Sequence, residues 1–265
     1  MISLLGKPIK EKIVDDIRSR ISKGQMINAY IISNPNSFEA SSYKKLVSDL
    51  LTKLGIKVTD SQISSQEEAE EAISEANKDK LASVFICRPL MVEDENRIIE
   101  LVPASADADM LTSVNSGRLY KGDMNYLTGT SSSVEAIIDY YNIPVQGRKV
   151  FIIGRSISVG LPIGLMMLKK NGMVTYAHSK ISLDDLRQEA RKTDILVLAS
   201  GKRGLIRKED INPRGIVIDC GYQEDGKGDL GFDPECQMFT PVPGGVGPIT
   251  ISLLILNAFK LKFGE

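Results

Sequence analysis

The chain has 265 residues, enough for one large or two medium domains. Apolar side chains make up 42% and charged ones 25%, with 33 basic residues against 34 acidic, a net charge of −1 that argues against a nucleic-acid binder. No stretch approaches the ~20 apolar residues of a membrane span, and the brief apolar run before Lys7 and Lys10 is too short for a secretory signal. The cysteines, Cys87, Cys220 and Cys236, are far apart and odd in number, and His178 is the single histidine. That pattern argues against a metal site or a disulfide framework. A Ser-His-Asp hydrolase would rest on His178 alone. The expectation is a soluble, cytoplasmic protein.

Ile9, Ile13, Ile17 and Ile21 recur every four residues and predict a helix over 7–21. A short strand at 29–32 and an Asn34-Pro35-Asn36-Ser37 turn lead to a helix over 40–54, stopped by Gly55. An acidic amphipathic helix follows at 67–77, then a buried strand at 83–87 ended by Arg88-Pro89. Residues 103–130, rich in Ser, Asp, Asn and Gly, read as irregular. Residues 131–141 read as a helix with Ser131 as its cap, and Pro144 and Gly147 mark a boundary. Beyond Lys149 the pattern alternates: strand 150–153, turn 154–160, helix 161–171, strand 174–177, helix 183–192, strands 195–199 and 216–220. Strands alternating with helices predict parallel βαβ packing and a doubly wound sheet. An apolar helix over 248–263 closes the chain.

Two segments point to chemistry. The run from Val150 through Gly154-Arg155-Ser156-Ile157-Ser158-Val159-Gly160 reads as strand, tight turn, helix. Glycine lets backbone N–H groups approach a phosphate, and the helix N-terminus adds about half a positive charge. Ser156 replaces the second glycine of the GxGxxG pattern, so the spacing alone also fits an ordinary βα turn. Arg155 adds a fork able to pair with phosphate. The next strand ends in Tyr176-Ala177-His178-Ser179-Lys180, without the carboxylate that holds an NAD ribose. Arg155, Ser179 and Lys180 suit a 2′-phosphate, hence NADP, and His178 reads as a turn residue. The second segment, Thr240 to Thr250 (TPVPGGVGPIT), is a stiff loop before an apolar helix, the kind of loop that more often serves function.

These segments, together with Ile216 to Gly221 (IVIDCG), resemble the bifunctional methylenetetrahydrofolate dehydrogenase/cyclohydrolase family of FolD type over essentially the whole chain. The resemblance implies an α/β protein of two domains with a cleft between them. Residues 1–122 plus 247–265 would form an α/β folate-binding domain, and 123–246 an NADP-binding Rossmann-like domain. It also implies a tetrahydrofolate derivative as substrate and a homodimer. Cofactor contacts carry over to Gly154, Arg155, Ser156, Val159, Gly160, Ser179 and Tyr222, and substrate contacts to Tyr43, Asp109, Pro243, Gly244 and Gly245. The family's Tyr is followed four residues later by a Lys. Tyr43 lies twelve residues before Gly55, as in the family, but the position four on is Val47. A shifted helix would present Lys45, taken here with Tyr43 and Asp109 as the catalytic set; the other reading makes Lys44 and Lys45 solvated surface residues. Cys87 stands where the family has the Gln that supports its lysine. Asp109 matches the Asp that holds the pterin ring, and Asn115-Ser116-Gly117-Arg118-Leu119 matches Asn-x-Gly-x-Leu. The family's PCTP run is replaced by Thr128-Gly129-Thr130-Ser131.

Oxidising a methylene bridge between two nitrogens moves a hydride that the lone pairs push out, so the protein mainly aligns two rings. Hydrolysing the resulting methenyl bridge needs water and a moved proton, work that suits a lysine. The expected function is therefore NADP-dependent oxidation of 5,10-methylenetetrahydrofolate to the methenyl form in one-carbon metabolism. Cyclohydrolysis to 10-formyltetrahydrofolate is expected to be weakened. The alternatives are a non-catalytic folate or dinucleotide binder, and a dehydrogenase of another small substrate such as a shikimate-type acid.

Overall fold

The computed structural model describes residues 1–223 and 225–264, so Glu265, the end of the expected 247–265 segment, lies outside the described residues. In chain order the first elements are β1 (Ile2–Ser3), α1 (Lys7–Ser22), β2 (Asn28–Ser33), α2 (Phe38–Lys53), β3 (Lys57–Gln62) and α3 (Gln66–Ala76). Next come β4 (Ala82–Cys87), α4 (Glu95–Glu100), α5 (Ser113–Tyr120), α6 (Gly129–Tyr140), β5 (Lys149–Ile153) and α7 (Gly160–Lys169). The last are β6 (Met173–Ala177), α8 (Leu183–Lys192), β7 (Ile195–Leu198), β8 (Ile216–Asp219), β9 (Met238–Phe239) and α9 (Gly247–Phe263). Two compact units form: Met1–Glu11 with Leu119–Thr250, and Lys12–Arg118 with Ile251–Glu265. Among the described residues no helix is long and apolar enough to cross a membrane.

The unit containing Lys12–Arg118 is built on a parallel sheet in the order β3-β2-β4. Tyr30, Ile32, Val84 and Ile86 face α3 and α4 through Ala69, Ile73, Ala76, Ile98 and Ile99. Alternation sends Ile31, Ser33, Phe85 and Cys87 to the opposite face. β3 was not expected from sequence, because Lys57-Val58-Thr59-Asp60-Ser61-Gln62 is a polar edge strand without the apolar signal of a buried one. Ser37 caps α2 by accepting from the Ala40 amide at 3.1 Å, which starts the helix two residues before the expected position 40. The stretch 103–130 is also more ordered than its composition suggests. The Val84 amide donates to Ala106 O at 2.7 Å and the Ala108 amide to Val84 O at 3.3 Å, laying 106–108 alongside β4. α5 follows directly.

The other unit holds a parallel sheet in the order β1-β9-β8-β7-β5-β6. The chain passes from β5 to β6 on one side, then crosses back to β7 on the other, so the carboxyl ends of β5 and β7 form a topological switch point. Phe151, Ile153, Leu196 and Leu198 pack against Leu186 and Ala190 of α8, while Ile163, Met166 and Met167 bury one side of α7. α6 begins at Gly129, not at Ser131. The Thr128 hydroxyl donates to Ser158 O at 2.6 Å and Ser131 Oγ to Thr128 O at 2.9 Å, so neither side chain caps the helix as expected of Ser131.

Glycine at 154 is a geometric requirement. Its φ is 123°, and a Cβ there would lie 2.1 Å from Ala199 O, just past β7. A Cβ on Gly160 would lie 2.2 Å from Gly154 O. The turn thus closes with backbone against backbone at the switch point. Gly154→Ala adds a strained φ to an overlap with backbone and is expected to cost at least about 2 kcal/mol. Hydrogen exchange of the β5 and β7 amides reads this locally; wild-type protection in the variant would contradict it.

Candidate functional site

In the unit of Lys12–Arg118, two aspartates two residues apart meet opposite fates. Asp107 accepts from the Leu111 amide (3.1 Å), the Thr112 amide (2.9 Å) and Asn115 Nδ2 (3.0 Å), which saturates its carboxylate and builds the start of α5. Asp109 Oδ2 is buried and has no hydrogen-bond partner. Burial above all, and then the charge of Asp107, push the Asp109 carboxyl up to about 7, against the pull of the Ile86 amide and the Arg88 guanidinium. Met110 beside it adopts a φ of 59°, a left-handed conformation unusual for a long side chain. Arg88 is itself paired with Glu95, whose other oxygen accepts from the Leu90 amide at 2.7 Å.

Tyr43 and Cys87 share this environment. Burial raises the Tyr43 phenol well above its usual range, with Asp109 and Cys87 adding to the effect. The Cys87 thiol is raised by burial and then by Asp109, while Lys44 opposes the rise. The chain therefore assembles an un-ionised phenol and an un-ionised thiol around a carboxylate oxygen that lacks a donor. That group fits a flat ligand carrying paired N–H donors.

The lysines sort differently from the sequence expectation. Successive residues of an α-helix turn by about 100°. Val47, four past Tyr43, is fully buried. Lys45 is exposed and has no partner among the described residues. Lys44, one past Tyr43, reaches Asp60 of β3 with Nζ to Oδ2 at 2.6 Å. The structure thus brings Tyr43, Asp109, Cys87 and Lys44 together and leaves Lys45 out. Two steps along a helix carry a side chain about 200° round, onto the far face, so no modest shift of α2 presents Lys45.

In the other unit the β5–α7 turn leaves Arg155 exposed and without a partner among the described residues. Ser156 Oγ accepts from the Val159 amide at 3.2 Å and the Gly160 amide at 3.4 Å, capping α7 in place of the Val159 side chain. Ser179 and Lys180 are exposed just past β6. His178 Nδ1 accepts from the Lys180 amide at 3.2 Å and its carbonyl from the Ile181 amide at 3.0 Å, a turn-forming role. Tyr222 is 74% exposed beyond β8. Backbone glycines that tolerate no Cβ, a helix N-terminus and a free guanidinium make a donor set that fits a phosphate-bearing cofactor.

Two supports of this unit escaped the sequence reading. Asp219 accepts from the amides of Gly221 (2.8 Å), Asp229 (3.1 Å) and Leu230 (2.9 Å). Asp229 accepts from the Ser200 amide (2.9 Å), the Gly201 amide (2.8 Å) and Gln223 Nε2 (3.0 Å). Together they tie down the loops leaving β7 and β8. The proline-glycine loop is held from both sides. Thr240 Oγ1 accepts from the Asp219 amide at 2.8 Å, the Gly245 amide donates to Pro241 O at 2.7 Å, and the Gly6 amide donates to Gly244 O at 2.8 Å. A Cβ on Gly6 would lie 2.1 Å from Gly245 O. Pro243, Gly244 and Gly245 are therefore fixed in shape by Gly6, and an isolated glycine near a chain end carries no signal of that in sequence. Among the described residues no group of three or more His, Cys, Asp or Glu side chains could hold a metal ion.

Residues 128–263 match the family model of the tetrahydrofolate dehydrogenase/cyclohydrolase NAD(P)-binding domain. The bifunctional protein FolD of Dictyoglomus turgidum (strain DSM 6724 / Z-1310) is 32% identical over 98% of this chain and 97% of its own length. The crystal structure of the FolD methylenetetrahydrofolate dehydrogenase/cyclohydrolase of Campylobacter jejuni is similar with a TM-score of 0.91 at 29% identity, covering 100% of this chain and 99% of that one. The Trypanosoma brucei FolD structure, complexed with NADP cofactor and inhibitor, gives a TM-score of 0.91 at 25% identity over 99% of this chain and 97% of that one.

The Asp109 carboxyl yields a stability prediction. Folded, it holds its proton up to about pH 7; an ordinary Asp releases it near 3.8. Between those values the folded state binds more protons than the unfolded one. Stability therefore falls as pH rises through that window, by at most about 4 kcal/mol. Asp109→Asn should flatten the dependence in urea unfolding between about pH 4 and 8; a wild-type slope in the variant would contradict the burial of this charge.

Proposed function

The chain belongs to the tetrahydrofolate dehydrogenase/cyclohydrolase family, and from that premise we propose that it oxidises 5,10-methylenetetrahydrofolate to 5,10-methenyltetrahydrofolate with NADP. The observation that carries this reading is the buried Asp109 oxygen without a donor. A pterin ring offers an amino group and a ring N–H side by side, the pairing an Asp carboxylate accepts. Tyr43 provides a face on which the ring stacks. With one edge of the ring fixed by Asp109 and its face by Tyr43, alignment does most of the work of hydride transfer.

NADP, when bound, accepts the hydride. Gly154, Arg155, Ser156, Val159 and Gly160 would hold its phosphates, with Ser179 beside the 2′-phosphate and Tyr222, Pro243, Gly244 and Gly245 bordering the site. Arg155 and Lys180 supply positive charge where an NAD enzyme carries an acid. Hydrolysis of the methenyl product is the slower activity, since Val47 and Cys87 offer neither a titratable amine nor an amide's paired donor and acceptor. The reading extends to one-carbon metabolism in the cytoplasm and to a homodimer on the family pattern.

An absorbance assay with NADP and methylenetetrahydrofolate tests the reading by following NADPH and methenyl product together; no NADPH formation would refute it. Arg155→Ala is expected to weaken NADP binding by about 10–100-fold, the equivalent of a charged hydrogen bond, and to leave NAD binding nearly as it was. Equal loss for both cofactors in calorimetry would sink the 2′-phosphate assignment. Asp109→Asn should lower turnover at least about 100-fold while the NADP dissociation constant stays near the wild-type value.

A further inference from the structure

We propose that Lys44 is the proton donor for hydrolysis of the methenyl bridge and that Asp60 is the residue that positions it. The proposal deepens the folate reading of the same site and rests on it. Lys44 Nζ sits 2.6 Å from Asp60 Oδ2; the lysine side chain is partly buried, at 21% exposure, and the carboxylate is open to solvent at the sheet edge, at 39%. In the sheet register Asp60 pairs with Ile31 and Cys87 with Ser33, two residues further along β2. Asp60 and Cys87 therefore project from the same face, and Lys44 of α2 lies over that face with its charge felt at Cys87. Two buried polar atoms near Cys87 have no partner: Ser33 Oγ in its own register row, and Asp109 Oδ2, whose charge also bears on the thiol. The ammonium thus lies over the sheet face that carries Cys87, next to two buried polar atoms that lack a partner of their own.

The chemistry balances with Lys44 alone. Water adds to the bridge carbon of the methenyl cation, forming a C–O bond, and one proton leaves to solvent. The bond from carbon to N5 then breaks and its electron pair goes to N5. Lys44 delivers its proton to N5 as that bond breaks. The amine recovers a proton from the carbon-bound hydroxyl as it becomes the formyl C=O. The sum is methenyl cation plus water giving the 10-formyl product and one proton, and Lys44 ends as it began. Asp60 has a clear part in this. A bare ammonium would repel a cationic substrate, whereas a Lys44–Asp60 pair presents the donor with no net charge.

Decay of chemically prepared 5,10-methenyltetrahydrofolate tests the proposal without NADP. Wild-type protein should exceed the spontaneous rate. Lys44→Met should lower the catalysed rate about 100-fold or more, the usual worth of a general acid. Lys44→Arg, which keeps the charge and holds its proton, should not restore it. Asp60→Asn should lower kcat for hydrolysis more than it changes KM, and Asp60→Glu should recover part of the loss. Lys45→Ala should match wild type. Wild-type hydrolysis in Lys44→Met or Lys44→Arg, or a wild-type rate no faster than spontaneous decay, would overturn the assignment. Lys44-dependent hydrolysis without NADPH formation in the methylene assay would instead refute the dehydrogenase reading and leave this one standing.

Discussion

A carboxylate taken out of water needs hydrogen-bond donors to offset the lost hydration, several kcal/mol for an ion left without them. The chain meets this constraint at Asp107, Asp219 and Asp229, where backbone amides surround each group, joined by the Asn115 side chain at Asp107 and by the Ser200 and Gln223 side chains at Asp229. It leaves the constraint unmet at one oxygen of Asp109, Oδ2. The contrast within 107–109 is what separates scaffold from site. Asp107 spends its acceptors on the first turn of α5 and so fixes the path of the chain. That path, laid along β4, holds Asp109 beside Cys87 whether or not anything binds there. The unmet oxygen raises the proton affinity of the carboxyl, and a bound N–H pair would relieve the same cost that burial imposes.

Parallel pairing explains why the chemistry gathers where it does. Parallel strands need long crossovers, so each strand of either sheet ends in a loop at the same edge. In the six-stranded sheet that edge carries the Gly154 turn after β5, the Ser179 turn after β6, the Asp229-bound loop after β7, and the proline-glycine loop after β9. Most of these loops are held by backbone atoms in contact with backbone atoms, at Gly154 against Ala199 and at Gly6 against Gly245. Such contacts leave little room to relax, which suits loops meant to present amides and not side chains.

Much of this was legible in sequence because it rests on local signals. The isoleucine repeat of α1, the alternating strands after Lys149 and the glycine-bounded turn all carry their own periodicity or punctuation. Elements that depend on distant partners did not show. β1 and β9 are two residues each and exist only because they pair with one another and with β8. β3 is polar and exposed at a sheet edge, so it lacks the apolar run that marked β4. α5 lay hidden in a polar stretch because Asp107 nucleates it through three donors that lie four to eight residues downstream. Asp109 itself was legible only through the resemblance; its missing partner was not.

The lysine shows how helix phase decides a site. Position 47 shares the inner face of α2 with Tyr43 and is fully buried, so a lysine there would need its own buried partner, and Cys87 cannot be one. Valine at 47 removes that demand and lets the helix pack on apolar contacts through Ala40, Val47 and Leu51. Lys44 stands at the margin of that face, where a four-carbon stem can lie over apolar surface and still carry its ammonium to Asp60. Asp60 can serve because β3 is an edge strand, open enough to solvate a carboxylate that the central strand could not carry. The polar character that hid β3 from a sequence reading is therefore the same property that lets it anchor the cation beside Cys87.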